Sequence, residues 1–141
     1  MFIKNPRSKN LPTILHCSIV NLMKDGTLFT FYETPIFSKR LDKLASMEVL
    51  FDLQNDLIAD PKLGDVISDT NGVRKARVAD KKNNRGKSGS FRYIYLYLEK
   101  AEIIYLLMFY AKNEQDDLSS DEKKIVASLA NQFKEIYGEN K

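Results

Sequence analysis

Residues 73–112, "VRKARVADKKNNRGKSGSFRYIYLYLEKAEIIYLLMFYAK", decide the fold. Three runs in this stretch, Val73 to Ala79, Phe91 to Leu98 and Glu102 to Lys112, are rich in β-branched and aromatic residues and read as strands. The short turn Glu99-Lys100-Ala101 joins the last two, and a basic loop joins the first two, which predicts an antiparallel meander. The basic loop contains Gly86-Lys87-Ser88, the tail of a phosphate-binding P-loop. A P-loop needs a further glycine five positions earlier and must open a helix, so that successive backbone N–H groups curl around a phosphate. Position 81 is Lys81 and a strand follows, so nucleoside triphosphate binding is excluded. The glycines here let the chain turn between two strands.

Outward from the meander, Leu28 to Glu33 reads as a short strand. Thr34-Pro35 then supplies an N-cap followed by proline at the first helical position, and Phe37, Leu41 and Leu44 repeat on one helical face. Ser46 caps a second helix, whose predicted apolar face is Met47, Leu50, Phe51, Gln54, Leu57 and Ile58, ending at Pro61. Residues 63–73 read as turn chemistry around Gly64 and Asn71-Gly72. Ser119 with Glu122 forms a capping box, and Ile125, Val126, Leu129, Phe133 and Ile136 predict an amphipathic C-terminal helix. The order β-α-α-β-β-β-α predicts an α+β fold, a small four-stranded sheet covered by helices. Residues 28–141 are read as one domain. Residues 1–27, punctuated by Pro6, Pro12 and Lys24-Asp25-Gly26, are read as an appendage, with Met23 as a candidate natural start.

The chain has 141 residues, 43% of them hydrophobic, and a formal charge of +3 too small to name a partner. Its distribution says more. From Arg74 to Arg92 there are eight cations (Arg74, Lys75, Arg77, Lys81, Lys82, Arg85, Lys87, Arg92) against the single anion Asp80, a net of +7. Residues 113–141 carry seven acids and four lysines, a net of −3. One cysteine, Cys17, and one histidine, His16, leave no internal disulfide and no Cys/His metal set. The apolar stretch 11–23 is interrupted by His16 and Asn21, precedes no small-residue cleavage site and is too short to span a bilayer. A cytoplasmic protein without membrane association is expected, with no cofactor and no metal.

In the second strand Lys75 and Arg77 share a face, Arg92 stands at the start of the third, and Lys112 ends the fourth. With strands about 4.8 Å apart, these cations converge within reach of one phosphodiester and its neighbours.

Four motifs in order resemble the RelE/ParE superfamily of bacterial toxins, most closely its HigB-type branch. They are Pro61-Lys62-Leu63-Gly64-Asp65, the run Gly72 to Arg77, the loop Arg85-Gly86-Lys87-Ser88-Gly89 with its following Arg92, and Ala111-Lys112-Asn113-Glu114. The resemblance covers about residues 28–136. It implies a RelE-like fold and a toxin of a type II toxin-antitoxin module, which cleaves mRNA in the ribosomal A site and so inhibits translation. It also implies silencing by a cognate antitoxin carrying a helix-turn-helix domain. By the same resemblance a basic residue at the position of Arg92 belongs to the active site, and Lys112-Asn113 matches a second basic pair. Asn113 departs from that pair, and Leu118 stands near the place of a tyrosine found in some relatives.

Attack of an RNA 2′-OH on its own phosphate needs that hydroxyl deprotonated, the charge on phosphorus stabilised and the leaving 5′-oxygen protonated. His16 lies in the predicted appendage, so lysine and arginine must serve. Arginine clamps phosphate but shuttles protons poorly, whereas crowding by other cations lowers a lysine's pKa. Arg92 and Arg77 are therefore expected to hold the scissile phosphate, and Lys75, Lys87 or Lys112 to act as general acid or base. Arg74, Lys81, Lys82, Arg85 and Asn113 are expected along the RNA. The plainer readings are an exposed hairpin tip for Lys81, Lys82 and Arg85, an ion pair with a helix carboxylate for Arg92, and a snorkelling surface lysine at Lys112. For Tyr93, Tyr95 and Tyr97, sheet packing outweighs base stacking. Two other functions stand beside the nuclease: a ParE-like inhibitor of DNA gyrase, and a member without catalysis that only binds its partner.

Overall fold

The computed structural model describes residues 19–83, 86, 90–115 and 117–139. The elements are β1 (Ile19–Lys24), β2 (Thr27–Glu33), α1 (Pro35–Leu44), α2 (Met47–Ala59), β3 (Asp65–Val66), β4 (Arg74–Val78), β5 (Phe91–Leu98), β6 (Ile103–Ala111) and α3 (Ser120–Ile136). They form an α+β fold around one mixed sheet in the order β1-β2-β6-β5-β4-β3. The meander is confirmed: β4 pairs antiparallel with β5, and β5 with β6. Only β2 and β6 run parallel.

The expected four strands are corrected to six. β1 falls inside residues 1–27 and pairs along its whole length with β2, from Ile19↔Tyr32 to Lys24↔Thr27. Asp25 and Gly26 close this hairpin with φ of 50° and 81°. Positive φ at both central residues is what a two-residue turn between twisted strands demands, and Asp-Gly supplies it. β3 is the second addition. Its two residues pair with Lys75 and Arg74, too short a run for alternation to reveal. Residues 1–18, with His16 and Cys17, lie outside the described residues.

Thr34 ties a helix to the sheet. Its Oγ1 accepts the Phe37 N–H at 3.1 Å as the α1 N-cap and donates to the Leu107 carbonyl at 2.8 Å. Leu107 is the extra residue of β6, because Ile94 pairs with Met108 while Tyr95 pairs with Leu106. The bulge leaves a carbonyl that needs a donor, and Thr34 provides it.

α1 and α2 cover one face of the sheet around Phe31, Leu53, Tyr93, Tyr95 and Phe109. α3 covers the other, where Val126, Ala130 and Phe133 meet Ile94, Tyr105 and Tyr110. Tyr93 and Tyr95 are fully buried, so the tyrosine run is core, as the packing reading expected. The α2 face is rotated from its predicted position. Val49, Leu50, Leu53, Gln54 and Leu57 are buried, whereas Met47 and Phe51 are about half exposed. The apolar stripe of α2 is wider than the surface available to cover it. Among the described residues no helix is long and apolar enough to cross a membrane.

Thr34→Val removes both the cap acceptor and the bulge donor, and is expected to lower unfolding free energy by about 1–2 kcal/mol in urea titration. Glu33 is a buried carboxyl at the end of β2. Burial pushes it above the ordinary 4.5, Ser38 Oγ opposes this with a 2.8 Å hydrogen bond, and Asp42 adds to the rise. A carboxyl raised in the folded state binds protons more tightly there, so its contribution falls as pH rises from its ordinary value through its folded one. Glu33→Gln keeps the acceptor for Ser38 and is expected to gain stability relative to wild type between acidic and neutral pH. Denaturant midpoints measured across that range check it.

Candidate functional site

Strand register decides which cations meet. Arg77 lies opposite Arg92, and Arg92 opposite Tyr110, forming one row across the sheet. Two residues along, Asp65, Lys75, Ile94 and Met108 form a second row. Ala76, Tyr93 and Phe109, in the row between, pack under α1 and α2. Alternation therefore turns Lys75, Arg77 and Arg92 toward the face that α3 covers, beyond its N-terminal end. Arg77 is exposed, Lys75 is partly covered, and Arg92 is 2% exposed. Beside them is an open concavity of about 300 Å³ lined by Leu63, Asp65, Lys75, Ala76 and Arg77. Three candidate residues thus share one patch, with the guanidinium of Arg92 beneath it.

From the segment between β6 and α3, Asp117 reaches this patch. Lys112 follows the last β5–β6 pair, donates its N–H to the Ser90 carbonyl at 3.0 Å, and is exposed, as is Asn113. Asp117 ion-pairs with Lys75 through Oδ1 and Nζ. Hydrogen bonding and charge from Lys75, with a further contribution from Arg92, hold the Asp117 carboxyl below the usual carboxylate range. Gln115 Nε2 donates to the Asp117 carbonyl and to Glu122 Oε1, each at 3.1 Å. Glu122 is itself held by the predicted capping box with Ser119. Asp117 was not legible in the sequence. It is one acid in a polar loop, and only the tertiary fold sets it against Lys75, 42 residues away.

Other cations go elsewhere. Arg74, on the opposite face of β4, donates to the carbonyls of Lys62 at 3.2 Å and Gly64 at 2.7 Å. Lys81 pairs with Asp52 of α2 at 3.3 Å. Lys82 lines a separate cavity of about 280 Å³ with Lys43, Ser46 and Asp80 at the α1–α2 turn. Lys81 and Lys82 therefore lie on the α2 side, apart from Lys75 and Arg77. Arg85 and Lys87 lie outside the described residues. Among the described residues no group of three His, Cys, Asp or Glu is placed to hold a metal ion.

The wall of the concavity is anchored by Tyr95. Its hydroxyl accepts the Gly64 N–H and donates to the Pro61 carbonyl, both at 2.9 Å. Burial raises its pKa, against the Gly64 hydrogen bond and the Arg74 charge, which lower it, so it remains a neutral donor. Gly64 passes so close to β4 that a Cβ there would stand 2.8 Å from the Lys75 carbonyl oxygen and 2.9 Å from Tyr95 Cε1. No side chain fits without moving β3 from β4.

The family model described as the RelE toxin of the RelE / RelB toxin-antitoxin system matches residues 38–140. It takes in most of α1 and every later element, hence Lys75, Arg77, Arg92 and Asp117.

Gly64→Ala is expected to cost about 1–3 kcal/mol of stability by overpacking against backbone. Tyr95→Phe, which leaves the Gly64 N–H and Pro61 carbonyl without their buried partner, is expected to cost about 1–3 kcal/mol. Denaturant melts of the two variants check both values.

Proposed function

The chain belongs to the RelE toxin family, and on that premise we propose that it is a HigB-type toxin that cleaves mRNA in the ribosomal A site. Membership implies an antitoxin partner, and a helix-turn-helix protein is the form proposed for it. The observation that carries the nuclease reading is the convergence of Lys75, Arg77 and Arg92 on one sheet face beside an open concavity.

Arg77 is exposed and planar, suited to clamp two phosphate oxygens and to offset the charge that develops when the 2′-oxygen attacks. Arg92 is buried directly opposite it. Its part is to raise the positive potential under the phosphate in a setting of reduced dielectric. Lys75 and Lys112 are the candidates for moving protons, one to take the 2′-OH proton and the other to protonate the leaving 5′-oxygen. Cations supply the charge stabilisation, so the reaction is written without a metal. Such a site orients RNA poorly by itself, and A-site mRNA presented in fixed geometry removes much of that entropic barrier.

In a cell-free translation reaction supplied with the protein, primer extension is expected to show codon-phased cuts in the translated message and none in the same message without ribosomes. Arg77→Ala is expected to slow them by about 100-fold or more, the scale of losing one donor to a developing oxyanion. It is a cleaner test than Arg92→Ala, because removing a buried cation also perturbs packing. Uncut message together with blocked gyrase supercoiling would select the ParE-like reading instead.

A further inference from the structure

The interaction that the nuclease reading leaves unused is the Lys75–Asp117 ion pair. Lys75 has a carboxylate neighbour, Asp65, directly across the β3–β4 pair. Its ion pair is nevertheless made to Asp117, brought in from the segment after β6. The two ends of this contact are unequal. The Lys75 side chain is 29% exposed and the Asp117 side chain 75% exposed. The backbone at Asp117 is fixed by the Gln115–Glu122 clamp, and Leu118 packs into the α3 core. Its carboxylate thus stands on a fixed base with water on most sides, free to swing away by a side-chain rotation alone. A half-exposed ion pair of this kind holds weakly.

We propose that the Asp117 carboxylate takes the position on Lys75 that an RNA phosphate takes in the substrate complex, so that RNA binds by exchanging phosphate for carboxylate. This rests on the reading of the patch as the RNA phosphate site. Both groups offer anionic oxygens to an ammonium, and Lys75 presents a compact point charge that one closely placed anion satisfies. Arg92, within electrostatic range of Asp117, strengthens the attraction for whichever anion is present. The consequence is selectivity. A free RNA strand must displace a tethered competitor of high effective concentration, which disfavours it. An mRNA already fixed on the ribosome arrives at comparable effective concentration, and its phosphate wins the exchange. Asp117 is then a specificity-determining residue that spares free RNA.

The test uses the full chain and a fluorescein-labelled single-stranded RNA nonamer with 2′-O-methyl groups throughout, which cannot be cut. Anisotropy titrations compare wild type with Asp117→Asn, Asp117→Glu and Arg77→Ala at several salt concentrations. Asp117→Asn is expected to bind about 3- to 10-fold more tightly at low salt, the gain shrinking as salt screens the pair. Asp117→Glu, which keeps the carboxylate, is expected to stay within about 2-fold of wild type, a split that a merely structural role would not produce. If Arg77→Ala weakens binding while Asp117→Asn leaves it unchanged or weaker, the exchange is overturned and the RNA site stands. If Arg77→Ala and Asp117→Asn both leave binding unchanged, the RNA reading itself fails and the exchange with it. Urea midpoints of each variant confirm that folded proteins are compared.

Discussion

Burial of β5 and β6 on both faces is the constraint from which the rest follows. Every residue of β6 from Ile103 to Tyr110 is buried, and in β5 only Tyr97 is partly exposed. Arg92 is the sole charged residue in these two strands. A slip of one residue would carry Arg92 under α1 and α2 among Phe91, Tyr93 and Phe109, away from the Asp117 carboxylate that it attracts in the native register. The register is therefore fixed by where one guanidinium can be tolerated. That place is the end of the sheet, next to Arg77 and below the segment bearing Asp117.

Once the register is set, the cationic patch needs no special device. Alternation along β4 puts Lys75 and Arg77 on the face of Arg92 and sends Arg74 to the other side, where it holds the loop that forms the concavity wall. The same loop is pressed against β4 by the Tyr95 hydroxyl and the absent Cβ of Gly64. Packing that stabilises the sheet thus also positions Lys75. A cation cluster of this kind repels itself, and Asp117, in the segment before α3, offsets part of that repulsion.

The elements that carry strong periodic or capping signals were legible. Thr34-Pro35, Ser119 with Glu122, and the three runs of the meander appear where the residues place them. β1 is harder to read although Lys24-Asp25-Gly26 holds the signal, because such a turn marks a chain break as readily as it closes a hairpin between two apolar runs. Two residues of β3 carry no pattern to read. In the site, strand alternation was enough to bring Lys75 and Arg77 together. It was not enough to show that Arg92 is buried, or that Lys81 turns to Asp52, since both depend on what packs above the sheet. Asp117 belongs to the same class of long-range facts.

RNA phosphate bound on the α3 side of β4 and β5 would be seen by side-chain NMR. Lysine and arginine side-chain signals of the full protein would be followed during titration with a 2′-O-methyl trinucleotide. Saturable shifts are expected at Lys75 and Arg77, with Lys81 and Lys82 unmoved. Shifts confined to Lys43, Lys81 and Lys82 on the α2 side, with Lys75 and Arg77 unchanged, would contradict it.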